Sequence, residues 1–505
     1  MTTPTFFAER RMRCSAMFRT VSALALVSGL AACGNGLTGL NVNPNQPGRV
    51  QPAFLFPDGV SDVVGRARGG SFDLTLTSLW SQQIAMDRFT DEDRYSIRPD
   101  NIDGYWSGFY AGGLQDFATI ITQGDSGASP NLIAPALVMK SWTYGIMTDI
   151  WGDIPYSEAN QGRAQLRPAY DPQQQIYAGL FADLKQANDM ITGDPGYGAA
   201  DLVYGGQMPE WKKFANSLRL RFAMRLTKVD PATAQAQAAA AIADGVFTSN
   251  ADNALLRWPG DGTNNSPIYN NFTVRDDQHV SQTLIDIMKS MYITASGSDT
   301  TFDPRLAVYA DPVIASLPDT LYTGAPNGLQ DDSAIGIGLT HTSRVGAAYR
   351  AIAAPSKLMT YSEVLFDEAE LAARGWTADD PATLYAQAIT ASMEYNGISD
   401  DAAAAYVASP RVAYNPATGL EQIALQKWIA LYGEGTEAYS EYRRTNVPDL
   451  QPGPAAITTP KIVARRLTYP VSEQSLNNDN LQAAMSRQGG ASLTDRVWWD
   501  TPDEP

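Results

Sequence analysis

The chain has 505 residues, is 44% hydrophobic and 18% charged, and carries a formal net charge of −17. That acidity excludes nucleic acid as a partner, because phosphate backbones are gripped by basic surface, and it excludes electrostatic adhesion to anionic lipid. No cysteine pair is available to hold a structural zinc.

The N-terminus reads as a secretory signal. Arg10, Arg11, Arg13 and Arg19 precede an apolar run from Val21 to Leu30, and Leu30-Ala31-Ala32-Cys33 follows. The run is too short to span a bilayer, which takes about 20 apolar residues. A cysteine directly after the small residues has the form of a bacterial lipobox. The expectation is cleavage before Cys33 and acylation of its thiol, with an ordinary signal peptide as the alternative and Met12 or Met17 as alternative starts. Removing Glu9 and the four arginines from 54 acidic and 37 basic residues leaves 53 and 33, a net charge of −20. Cys14 leaves with the signal, so no disulfide is available and the fold must rest on its core. Residues 1–32 are therefore assigned to the signal, 33–50 to a lipidated Gly/Asn/Pro-rich tether, and 51–505 to a single domain.

Helical patterns then recur. Asp171-Pro172 reads as a cap followed by proline at the first helical position, with Ile176, Leu180, Leu184, Ala187 and Met190 on one face and Gly193 as a stop. Trp211, Phe214, Leu218 and Phe222 form a second stripe, and Asp230-Pro231 opens an alanine-rich helix. Residues 281–292, 355–374, 381–395 and 420–432 also read as helices, with Asp380-Pro381 opening the third of these. The helices come in neighbouring pairs, as in tetratricopeptide stacking, although no strict 34-residue period occurs. The expected fold class is therefore predominantly all-α, with minor β content in the long polar segments 251–280 and 296–350, which read as an irregular functional face. From Val447 onward the sequence reads mostly as coil.

Catalytic arrangements are scarce. His279 and His341 stand outside any H-E-x-x-H spacing and read as polar loop residues. Gly124-Asp125-Ser126-Gly127 has the letters of a serine-protease loop in helical surroundings. Gly336-Ile337-Gly338 lacks the third glycine of a dinucleotide fingerprint. Asp91, Glu92 and Asp93 read as a solvated acidic loop, with a calcium site as the weaker option. No catalytic residue, metal site or cofactor is assigned.

Aromatic and amide side chains remain. Trp258, Tyr269, Asn270, Asn271 and Phe272 surround Pro259-Gly260-Asp261-Gly262, and Trp80, Arg88, Phe89 and Tyr95 cluster earlier. Flat rings suit the apolar faces of sugars, while amides and guanidiniums satisfy the hydroxyls at their edges. A few placed polar groups on apolar walls is the general pattern of ligand sites. Trp258, Tyr269, Asn271, Phe272, Trp80, Arg88 and Tyr95 are the expected ligand-binding residues. The alternative is that these rings cap the helical core.

Five ordered segments resemble the SusD/RagB family of outer-membrane nutrient-binding lipoproteins. They are Leu40 to Asn45 (LNVNPN), Trp142 to Ala159 (WTYGIMTDIWGDIPYSEA), Trp211 to Leu226 (WKKFANSLRLRFAMRL), Ile423 to Pro448 (IALQKWIALYGEGTEAYSEYRRTNVP) and the run from Ala464 to Asn480 containing ARRLTYPVSEQSLNNDN. The resemblance implies one helical domain with four tetratricopeptide-like pairs. It further implies a SusC-type TonB-dependent outer-membrane barrel as partner and an oligosaccharide, or sometimes a peptide, as ligand. It implies binding without chemistry, in a lipid-anchored protein at the outer membrane, facing the cell surface. Gly34-Asn35-Gly36-Leu37 lacks the acidic residues that follow the acylated cysteine in many surface-exposed relatives. The matched motifs themselves read as structural. Arg219, Arg221 and Arg225 are expected to pair with carboxylates such as Asp149 or Asp153, Trp151-Gly152-Asp153 to end a helix, and Arg443 and Arg444 to serve the scaffold.

Two other functions fit the letters. A tethered glycan hydrolase needs a carboxylate pair about 5 to 9.5 Å apart across a cleft. A protein-binding helical scaffold needs an open groove and no small-ligand pocket.

Overall fold

Apolar residues spaced three and four apart make most of the chain helical. The computed structural model describes residues 50–502 except 194, 292–301 and 315–320. The signal, Cys33, nearly all of the tether and the LNVNPN segment lie outside the described residues, as do parts of the 296–350 segment and the side chains of Asp125 and Ser126. The described residues from Pro52 onward belong to the second of two units, Pro52–Pro505.

In the second unit, helices α1 (Pro52–Ala67), α2 (Pro99–Ala111) and α3 (Gly113–Thr122) come first, and α1 packs on α3. Then α4 (Pro130–Trp151) packs on α5 (Gln173–Met190), and α6 (Met208–Arg225) packs on α7 (Pro231–Asp244). After α8 (Pro267–Val274) and α9 (Gln282–Met291), α10 (Tyr361–Ala373) packs on α11 (Pro381–Tyr395). These are four helix pairs among the described residues. Contacts of α3 with α4, α5 with α6, and α6 with α10 join them into a tetratricopeptide-like stack. Helices α12 (Asp400–Val407), α13 (Gly419–Ala430), α14 (Gly435–Thr445) and α15 (Asn478–Gln488) complete it, with α13 on α10 and α14 on α13.

Two expected caps are present. Asp230 accepts from the Thr233 amide at 3.1 Å and Asp380 from the Thr383 amide at 3.0 Å. The third is not. Asp171 instead accepts from the backbone amides of Tyr156 and Ser157, and Asp153 caps α5 by accepting from the Gln173 amide at 2.8 Å.

The expected helix over 355–374 begins as a strand. β2 (Ala254–Leu256) pairs antiparallel with β4 (Ser356–Met359), and the chain turns helical only at Tyr361. A second ribbon joins β1 (Ile84–Met86) to β3 (Gln278–Val280), antiparallel, with Ala85 opposite His279. His279 is therefore a fully buried strand residue rather than a loop residue, its Nδ1 2.7 Å from Thr342 Oγ1 and 3.0 Å from Asp87 Oδ2. The C-terminal stretch expected as coil contains the short helix Val471–Leu476 and α15.

Charge is packed into the core between helices. Arg221 of α6 makes a bidentate pair with Glu363 of α10 at 2.6 and 2.5 Å. Arg225 lies 2.5 Å from Glu437 of α14 and 3.2 Å from Asp149 of α4. Lys427 reaches Asp367 at 2.6 Å, and Arg444 reaches Glu370 at 2.5 Å. Of the expected partners Asp149 is taken by Arg225, whereas Asp153 pairs with Arg487 and Arg219 with Asp244. Arg443 donates to the carbonyls of Asp149 and Arg465. Such charges are tolerable when buried because each is paired with a carboxylate or hydrogen-bonded to backbone carbonyls.

Candidate ligand-binding cleft

The β1–β3 ribbon joins the segment that carries Phe89 to the one that carries Arg275. Its ladder continues into the Asp87 amide donating to the Asp277 carbonyl at 2.9 Å, which lays the 87–95 loop beside α8 and the residues after it. Two bulky residues of that loop, Phe89 at φ 55° and Tyr95 at φ 69°, sit in the left-handed region. Side chains rarely adopt that conformation, and it costs about 1–3 kcal/mol where it persists. The result is a division of labour. Tyr95 turns inward against Trp80, with ring centroids 5.8 Å apart, while Phe89 turns outward and is 62% exposed.

Arg275 lies over the exposed ring, its guanidinium carbon 5.3 Å from the Phe89 centroid. Asp277 holds that guanidinium through both carboxylate oxygens, at 3.1 Å from Nε. Across from this pair, Tyr105 of α2 donates its hydroxyl to the Ser71 carbonyl at 2.9 Å, which pins the ring. The space between is a cleft of about 750 Å³ whose walls include Phe89, Tyr105, Arg66, Arg98, Arg275 and Asn101. Asp91, Glu92, Asp100 and Asp331 add carboxylates to the same walls. A second lobe of about 320 Å³ opens past Tyr105 and Gly104, walled by Phe72, Phe109, Pro267 and Asn270. Both volumes lie in the range of small-molecule sites. Gly70 at the lobe's floor has no room for a side chain, since a β-carbon there would sit 2.3 Å from Asn271 Oδ1.

The acidic run divides along its length. Asp91 is exposed beside Arg94. Glu92 is largely buried, accepts from Asn101 Nδ2 at 3.2 Å and lies 3.9 Å from Arg98. Burial raises the Glu92 carboxyl above its ordinary range, against the pull of Arg98. Asp93 is inside, accepting from Asn327 Nδ2 at 2.9 Å and the Met86 amide at 3.2 Å, and burial pushes its carboxyl up to about 6. Among the described residues, no three acidic, histidine or cysteine side chains converge to hold a metal ion.

The expected ligand-binding residues fall elsewhere. Trp80 and Tyr95 are core, 0% and 3% exposed, and the Trp80 indole donates to the Glu92 carbonyl at 3.2 Å. Neither ring faces solvent, which corrects the reading of these two as ligand contacts. Arg88 is half-buried and outside the cleft lining. Trp258 is half-buried, donates to Ser356 Oγ at 2.9 Å and packs on the core. Asn271 donates to Gln278 Oε1 at 3.1 Å, and Phe272 lies under Arg350, 5.8 Å from its guanidinium. Tyr269 is half-buried on α8 and does not line either lobe. Their neighbour Asn270 does. The residues that sequence reasoning missed are Tyr105, Arg66, Arg98 and Arg275. A signal for Arg66 was available in Gly108 of α2, where a β-carbon would sit 2.3 Å from the Arg66 guanidinium.

The site sits in a recognisable family scaffold. A family model described as SusD-like, starch-binding and associating with the outer membrane matches residues 44–470. Among solved structures, a chitin-binding protein is 30% identical, with a TM-score of 0.79 over 89% of this chain and 100% of that one. A chitin-binding SusD homologue from Flavobacterium johnsoniae is 27% identical, with a TM-score of 0.77 over 88% of this chain and 98% of that one. A SusD homologue from Bacteroides uniformis is 25% identical, with a TM-score of 0.78 over 89% and 99%. No curated protein is significantly similar in sequence. No described helix is long and apolar enough to cross a membrane. A helical-pair stack matched along nearly its whole length to SusD homologues, and a family model covering most of the sequence, place this chain in the SusD-like family.

Proposed function

We propose that the protein is a lipid-anchored outer-membrane receptor that captures oligosaccharides and delivers them, unaltered, to a SusC-type TonB-dependent barrel. One observation carries the ligand class: the cleft of about 750 Å³ pairs the exposed ring of Phe89 and the pinned ring of Tyr105 with guanidinium, amide and carboxylate groups. Ring faces stack on sugar faces, and the polar groups accept and donate to hydroxyls. The glycan-binding descriptions of similar proteins support the same reading. The anchor rests on Leu30-Ala31-Ala32-Cys33.

The ligand test is calorimetry of the purified protein with chitooligosaccharides and maltooligosaccharides. Saturable binding that weakens in Phe89→Ala supports the reading. Absence of binding to either series, or release of shortened products, overturns it. Labelled palmitate incorporated by the wild type and lost in Cys33→Ala tests the anchor, and co-purification of a TonB-dependent barrel from membranes tests the partner.

A further inference from the structure

A groove of about 350 Å³ shares no lining residue with the cleft. It lies at the N-terminus of α5, with walls that include Asp153, Gln173, Arg487, Gln488, Arg496 and the half-buried indole of Trp498. A helix N-terminus alone makes no site, but two further observations point to a ligand.

The first is a buried acceptor. Gln173 is 1% exposed, and its Nε2 donates to the Thr148 carbonyl at 2.7 Å, which fixes the orientation of the amide. Its Oε1 then meets no donor among the described residues. Leaving such an acceptor unsatisfied costs about 1–3 kcal/mol, so the site calls for a hydroxyl or N–H.

The second is charge. Arg487 and Arg496 stand on the groove, with Arg465 and Arg466 behind it. Two carboxylates answer these four guanidiniums. Asp153 lies 2.7 Å from Arg487, and Asp500 lies 2.6 Å from Arg496 and 2.8 Å from Arg465 Nε. Arg466 is fully buried and donates to Gln488 Oε1 at 2.9 Å and to the Leu467 and Trp151 carbonyls, with no carboxylate in ion-pair range among the described residues. A local excess of positive charge in a chain of net charge −17 therefore lies in and behind a groove that carries the Trp498 indole. A buried cation without a counter-ion is costly, and an anion in the groove offsets that cost.

We propose that this groove is a second saccharide site, specific for a sugar ring bearing a carboxylate, such as a hexuronate. Asp153 already occupies the α5 end, accepting from the Gln173 amide, so the ligand carboxylate goes to the Arg487 and Arg496 guanidiniums. A ring hydroxyl donates to Gln173 Oε1, and the apolar ring face lies on Trp498.

The test is titration of the full protein with glucuronate, glucose, acetate and sulfate, followed by calorimetry and ligand-observed NMR. Glucuronate is expected to bind, with affinity falling at least about fivefold in Arg496→Gln and in Trp498→Ala, because a charge-assisted contact or a stacked ring is lost. Phe89→Ala leaves glucuronate binding unchanged, which separates this site from the cleft. If a variant misfolds by circular dichroism, Arg496→Lys and Trp498→Phe replace it. The proposal is overturned by absent glucuronate binding, by equal binding of acetate or sulfate, or by unchanged affinity in both variants.

Discussion

The Arg275 guanidinium lies over one face of the Phe89 ring at 5.3 Å, and the two residues come from segments that the β1–β3 ribbon makes neighbours. One ring is thereby held out of the core by a left-handed backbone and screened by a cation that Asp277 immobilises. This is a rigid platform in the wall of the ligand cleft.

Removing the platform is expected to separate binding from stability. Phe89→Ala should weaken oligosaccharide binding about tenfold, or about 1.4 kcal/mol. An exposed ring buries little apolar area, so the melting temperature should move by less than about 2 °C. Calorimetry paired with differential scanning checks both halves.

Trp258→Ala should behave in the opposite way. Its indole packs on the core and donates to Ser356, so truncation should cost about 2 kcal/mol of stability by leaving a cavity and an orphaned hydroxyl. Oligosaccharide affinity should change less than about twofold. Urea unfolding and calorimetry on the same preparation decide it.

Arg225 joins α6 to α4 and α14 through Asp149 and Glu437. Arg225→Met strands two buried carboxylates and should cost about 3–5 kcal/mol. Adding Glu437→Met should recover part of that loss, because one unpaired charge goes with it. Chemical denaturation of the single and double variants measures the coupling.

Stability should decline at acid pH. Burial alone would raise the Glu437 carboxyl, but Arg225 and Arg221 outweigh it and hold the group at about 2. Burial is likewise outweighed by Arg444 at Glu370, also held at about 2. With folded values below the unfolded value of 4.5, the stabilisation is fully present above pH 4.5 and is lost as pH falls from 4.5 through 2. Melting temperatures measured across that window should fall, and Glu437→Gln should flatten the slope.

Local signals in the sequence carried the scaffold. Asp230-Pro231 and Asp380-Pro381 start helices where the chain places them, because an N-cap and a proline at the first helical position need only near neighbours. Asp171 failed as a cap because the Asp153 carboxylate, 20 residues before Gln173, reaches the same helix end. Residues 356–359 read as helix but pair as a strand, because β2 supplies hydrogen bonds from a segment about a hundred residues earlier.

The candidate site was legible only as a neighbourhood. Of the earlier cluster only Phe89 lines the cleft and of the later one only Asn270 lines its second lobe; Trp80 and Tyr95 went inward and Phe89 outward, and composition is the same either way. Helix periodicity, caps and family motifs are short-range or collinear properties, so the chain's order of residues by itself determined the class, the stack and the family. Which ring meets solvent, which carboxylate answers which arginine, and which loops share a wall depend on contacts between residues up to hundreds of positions apart. The tertiary structure alone decided those, through burial and pairing that no local pattern encodes.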